Sequence, residues 1–303
     1  MRFFARACFI LSFFLAAERI AVAQVAPVAS IGSLPEVEFS SLSGKDSSAL
    51  GVKALAIDPA AWKHGETEHF IYHYQRSYVA TPIAVEAEFH FRVISKELGK
   101  ADVPWKEKAH IYIFEQPAAW ESFQTAGGLE PWTGGIQSGS SLFIVRNPAY
   151  RFTDNSLGHE VAHLVLRRLY GTAIPLWLNE GFAQFVSKGA HASFLRARGY
   201  SAKPLSSGVE REKLFRLATL TTMHYPSAEK VDAFYDQSER LVRFLVSADR
   251  AKFLQLLELS ARGQPFEAAL LATGSSAFLN VSALEEQFAV YASKDAPNAS
   301  SMP

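Results

Sequence analysis

The order of apolar and polar positions divides the chain into distinct stretches. Residues 1–23 open with Arg2 and Arg6, run through an apolar segment at 9–17 and close on Ala21-Val22-Ala23. A positive start, a short apolar run and an A-x-A site are the layout of an export signal cleaved before Gln24. That run is too short to span a bilayer, and no later stretch approaches roughly 18 uninterrupted apolar residues. Residues 24–60 are dominated by Ala, Ser, Gly and Pro in their first half and are expected to form a flexible leader.

Residues 61–150 alternate between strand and helix signals. The run HFIYHY at 69–74 is dense in β-formers, and residues 82–99 read as a helix with Pro82 at its start and Gly99 at its end. AHIYIF at 109–114 reads as a buried strand, residues 117–125 as a short helix, and SLFIV at 141–145 as another strand. Glycine pairs at 127–128 and 134–135 bracket a stretch rich in turn residues. From 151 to 293 the periodicity is almost wholly helical, and residues 294–303 read as a disordered tail. The pattern predicts an α+β fold: a small mixed α/β sheet layer, then a mainly helical half.

Charge narrows the range of partners. Thirty basic and thirty acidic residues balance, with no long run of either sign. Such a chain lacks the electrostatic footprint of a nucleic-acid or anionic-membrane binder. The one cysteine, Cys8, lies inside the expected signal, so the mature chain has no thiol. Disulfides, thiolate metal sites and cysteine nucleophiles are thereby excluded from it. Export to a periplasm or to the medium fits a thiol-free chain.

The chemistry concentrates where the strands give way to helices. His159-Glu160-Val161-Ala162-His163 is an H-E-x-x-H element. Thr153, Asp154, Asn155 and Ser156 offer N-caps ahead of it, Leu157, Val161, Leu164 and Val165 make an apolar stripe, and Gly171 can end the helix. At positions i and i+4 both imidazoles face one way and can reach one ion, for which zinc is suited. Glu160 lies on the adjacent flank, within reach of a metal-bound water without being a ligand. Farther on, LWLNEGFA at 176–183 places Glu180 near the start of a second helix. A short connection favours an antiparallel neighbour, which brings Glu180 beside the histidines and completes a His2Glu set with an open fourth position.

These pieces, HEVAH at 159–163, LNEGFA at 178–183 and YDQSERL at 235–241, resemble the gluzincin zinc metallopeptidases, specifically the bacterial peptidase MA-like group related to the larger zinc aminopeptidases. The resemblance spans about residues 65–290. It implies one zinc per chain held by His159, His163 and Glu180, with Glu160 as general base and Tyr235 as oxyanion donor. It implies a peptide or protein substrate, hydrolysed by a secreted or periplasmic enzyme. The chain departs from the aminopeptidases in lacking a G-x-M-E-N-type amine-recognition motif, so an exopeptidase is not implied. No H-x-x-G-x-x-H extension follows His163, which excludes the metzincin arrangement.

Other assignments complete the expectation. The strand at 141–145 is a candidate for pairing with an extended substrate, by analogy with the family. Asp154 and Asp236 are possible orienters of the ligand imidazoles. His69 and His73 fall in a strand, where a spacing of four does not give helical facing, and read as surface or core residues. His64, His90, His110 and His191 belong to no constellation visible in sequence, and His224 is a candidate cleft residue. The alternative to an enzyme is a non-catalytic, zinc-stabilised polypeptide-binding domain of the cell envelope, against which the retained Glu160 counts.

Overall fold

The computed structural model describes residues 32–131, 133–146, 155–200, 213–276 and 279–293. The expected export signal and the tail lie outside them. Five strands form one mixed sheet: β1 (Lys63–Glu66), β2 (Phe70–Tyr74), β3 (Ala109–Phe114), β4 (Gly135–Ser138) and β5 (Ser141–Val145), in the order β1-β2-β3-β5-β4. The three central strands run parallel, and the outer two pair antiparallel with their neighbours. The helices are α1 (Ala49–Ala56), α2 (Ser77–Glu97), α3 (Pro117–Gly127), α4 (Ser156–Tyr170), α5 (Leu176–Ala197), α6 (Leu217–Thr222), α7 (Val231–Ala261), α8 (Phe266–Ala272) and α9 (Val281–Ala292). This is the expected α+β arrangement, with a mostly helical C-terminal half. Among the described residues no helix is long and apolar enough to cross a membrane.

Strand β3 explains the layering. All of its residues are buried, so both faces of the sheet need cover. Ile111 and Ile113 join Phe70, Tyr72, Leu142 and Ile144 in the large core shared with α2, α4, α5 and α7. Tyr112, Phe114 and Phe143 point the other way, against Ala54 of α1, Trp62, and Trp120 and Phe123 of α3. The second face thus requires α1, and this corrects the expectation of a flexible leader from residue 32 on; residues 24–31 lie outside the described residues. From Leu34, which is buried against the main core, the segment is built into the fold. Glu36 bridges to Gly65 of β1, and Ser48 caps α1 by accepting from the Gly51 amide.

Two other expectations need correction. Helix α2 begins at Ser77, so Pro82 lies inside it and not at its start. The buried carboxylate of Glu115 explains the earlier start: it accepts from the amides of Gln75 and Arg76 (3.1 and 2.8 Å) and pairs with the Arg76 guanidinium, fixing the turn into the helix. Gly99 then takes the left-handed conformation (φ 65°) just past the helix end, as expected of a terminating glycine. Secondly, the turn-rich stretch contains β4, a short edge strand whose half-buried residues, starting at Gly135, carry little apolar pattern. Strand β5 has β3 on one side and β4 on the other. It therefore has no free edge for an extended substrate; among the described residues β4 is the outermost strand on that side.

Helix α7 is long but interrupted. At Asp249 the backbone is extended (φ −162°), and its Oδ1 accepts from the Lys252 amide (3.0 Å), capping the second part.

Candidate active site

Helix α4 forms as its sequence requires. Leu157, Val161, Leu164 and Val165 are buried in the main core, and Gly171 ends the helix with φ 76°. Burying that stripe turns His159 and His163 toward α5, where Glu180 sits one turn in from Pro175, the residue preceding the helix. His159 Nε2 and His163 Nε2 are 3.0 Å apart, and each is 3.4 Å from Glu180 Oε2. The three residues expected to act together are thus brought to one point, their ligand atoms within 4.8 Å of one another.

The spacing bears on whether the set fits a metal. Tetrahedral zinc with ordinary nitrogen and oxygen bond lengths separates its ligands by about 3.3–3.6 Å. Glu180 Oε2 is buried and has no hydrogen-bond partner among the described residues, although two imidazole nitrogens face it. The two distances to Glu180 fall in that range and the 3.0 Å between the imidazoles falls just below it, so the carboxylate oxygen and the two nitrogens converge on a point that a cation can occupy. Glu180, despite burial that opposes ionisation, is held down at about 2 by the two imidazoles, so its charge is kept. His163, against the pull of burial, is pushed up to about 9 by Glu180 and Glu160, which marks the site as one that favours positive charge.

The other side chains divide by environment. His163 Nδ1 faces Asn179 Oδ1 at 3.2 Å; donating there leaves Nε2 free to act as a ligand. Asn179 is an orienter that the sequence reading did not name, although it adjoins Glu180 in the motif. Asp236, one of the two orienters expected, instead accepts from Arg240 Nε at 2.7 Å, and Asp154 lies outside the described residues. His224 is exposed. Glu160 is buried, and burial raises its carboxyl above the ordinary range; the nearby imidazoles and the Gln137 amide of β4 act in the opposite direction. At Gly135, also on β4, an added Cβ would stand 3.5 Å from Glu160 Cγ. Edge strand and candidate base are therefore neighbours.

Tyr235 is half-buried on the first turns of α7. Burial, followed by the charges of Glu180, Tyr225 and Glu160, raises its hydroxyl well above its usual value, so it stays protonated and able to donate. Residues 94–293 match the family model of the Peptidase MA superfamily. The chain belongs to that superfamily. No curated protein matches it. Membership of the superfamily assigns the chain a metallopeptidase-type fold, and its members are typically zinc-dependent.

The remaining histidines are organised in ways that the sequence did not announce. His64, His73 and His110 form a buried chain on the α1 side of the sheet, with Nδ1···Nδ1 2.8 Å between the first two and Nε2···Nδ1 3.0 Å between the last two. His69 binds Glu88 (2.7 Å). His90 and His191 meet at Glu86, between α2 and α5.

Proposed function

We propose that this chain is an exported, zinc-dependent peptidase that hydrolyses peptide bonds in a peptide or protein substrate. The observation that carries the reading is Glu180 Oε2, buried and equidistant from His159 Nε2 and His163 Nε2 with Glu160 alongside. His159, His163 and Glu180 would hold one zinc per chain. Bound there, zinc would polarise the scissile carbonyl and lower the pKa of a coordinated water towards about 7.

The chain's own groups supply the rest. Glu160 takes a proton from the attacking water and returns it to the leaving amine; its raised pKa suits a carboxylate that must both accept and release one. Tyr235 donates its O–H to the oxygen of the tetrahedral intermediate. The outermost strand of the described sheet on that side, β4, offers backbone groups to an extended polypeptide, laying it past Glu160 as an added strand. Export rests on the layout of residues 1–23 and on the absence of cysteine after Ala23.

The test pairs elemental analysis with hydrolysis of a peptide library by the mature chain. Glu160→Gln should retain zinc and lose at least about a hundredfold in rate. Glu180→Ala should lose both the zinc of this site and the activity. Full activity in Glu160→Gln would remove the proposed base, and a wild-type chain that cuts no peptide while holding zinc here would favour the polypeptide-binding alternative.

A further inference from the structure

A second set of ligand-type atoms meets on the far side of α4. Glu86 and His90 stand four apart on α2 and share a face, and His191 reaches the same point from α5. Glu86 Oε1 is 3.6 Å from His90 Nε2 and 3.4 Å from His191 Nδ1, and the three ligand atoms lie within 4.8 Å of one another. These separations match the edges of a tetrahedron around zinc, about 3.3–3.6 Å, as those around Glu180 do.

The imidazole nitrogens there lack the hydrogen-bond partners that burial demands. Glu86 and His90 are 1% and 0% exposed at their side chains. Among the described residues neither nitrogen of His90 has a hydrogen-bond partner, and His191 Nδ1 has none. Val85, Phe89, Val93, Ala190 and Phe194 form an apolar cluster along the same helices, so water is a poor substitute. The third histidine–carboxylate grouping behaves differently. There His69 Nδ1 meets Glu88 Oε2 at 2.7 Å, so that imidazole has the hydrogen bond that His90 lacks among the described residues.

We infer that Glu86, His90 and His191 form a second metal site, for a divalent ion of the zinc class, separate from the His159–His163–Glu180 set. Two imidazoles and a carboxylate are the donor set such ions prefer. His191, 17% exposed, gives the route of entry. Glu86 and His90 lie ahead of the segment that matches the superfamily, and His191 lies within it. Its place in the fold assigns a clamping role. The ion ties α2 to α5, and the His90 ring lies against Gly158, where an added Cβ would be 2.7 Å from it, immediately before His159. On α5, His191 stands three turns beyond Glu180, roughly 16 Å along the axis.

Elemental analysis of the full mature chain, after removal of metal and addition of zinc, tests the site. Wild type is expected to hold two zinc ions per chain, and His191→Ala and Glu180→Ala one each. His191→Ala should keep peptide hydrolysis but melt at a lower temperature, and added chelator should lower its melting point less than that of the wild type. A His191→Ala chain that binds as much zinc as the wild type overturns the proposal. A single wild-type zinc, lost in His191→Ala and kept in Glu180→Ala, upholds this site and counts against the other one alone. Should His191→Ala fail to fold, cobalt titration of Glu180→Ala decides: one visible-absorbing cobalt per chain supports the site, and none overturns it.

Discussion

A Cβ placed on Gly181 of α5 would stand 2.4 Å from the backbone carbonyl oxygen of Ser238 on α7. Gly181 follows Glu180, and Ser238 lies one turn beyond Tyr235. The missing side chain therefore sets the distance between a candidate metal ligand and the candidate oxyanion donor. Since the obstructing atom is backbone, Gly181→Ala should push the helices apart. Overpacking of this kind costs about 1–3 kcal/mol, offset by up to about 1 kcal/mol of helix propensity. Urea unfolding should show a net loss for Gly181→Ala, and hydrolysis should fall further than stability alone accounts for. Gly189→Ala, on the same helix with nothing within 4 Å of the added Cβ, should be stabilised.

Tyr235→Phe separates chemistry from packing. The ring stays in its half-buried place and only the hydroxyl is lost. Removing one oxyanion donor costs about a hundredfold to a thousandfold in kcat. Zinc content should be unchanged, and so should KM to within a few-fold. Unaltered kcat would assign Tyr235 a packing role.

Asn179 should control metal affinity without touching the metal. Its Oδ1, 3.2 Å from His163 Nδ1, fixes which ring nitrogen carries the proton. Loss of such a partner typically weakens metal binding about 10–100-fold. Asn179→Ala should show that loss in a competitive zinc titration, and Asn179→Asp, which keeps an acceptor, should recover most of it.

The buried histidine chain should make the fold acid-sensitive. Burial, reinforced by neighbouring His110 and His64, holds His73 well below the ordinary imidazole value. Burial likewise lowers His64, against Glu36 and Glu38, and His110, against Asp46 and Glu66 with Arg168 acting alongside burial. A folded-state pKa below the unfolded one means that the unfolded chain takes up protons first. The stability is thus complete above about pH 6.5 and is lost as pH falls towards the folded value, by up to about 1.4 kcal/mol per pH unit for each excluded proton. Urea midpoints measured from pH 7 to pH 5 should fall for the wild type. His73→Phe should give a shallower fall, and an unchanged slope would show that His73 is not a source of it.

The local chemistry was readable because it depends on short periods. The four-residue step from His159 to His163 and the stripe through Leu157, Val161 and Leu164 follow from helix geometry alone, and the helix that they predict runs to Tyr170 before Gly171. The strands β2, β3 and β5 were legible for the same reason, each being a dense run of β-formers. Strand β4 was not, because an edge strand with half-buried residues needs no apolar pattern. The start of α2 was hidden too: the carboxylate that fixes its entry, Glu115, lies at the end of β3, 39 residues from Arg76.

By itself, then, the sequence determined the α+β order of elements, the helix that presents the two histidines, and the motif that places Glu180 near the start of the next one. Only the tertiary structure decided that α1 covers the second face of the sheet, that β4 and not β5 is the outer strand of the described sheet, and that Asn179 meets His163. It alone brought Glu86 and His90 to His191, and His64 to His73 and His110. Periodicity reports which way a side chain faces on its own element. Which distant element it meets depends on how the buried faces stack, and no short stretch of sequence carries that information.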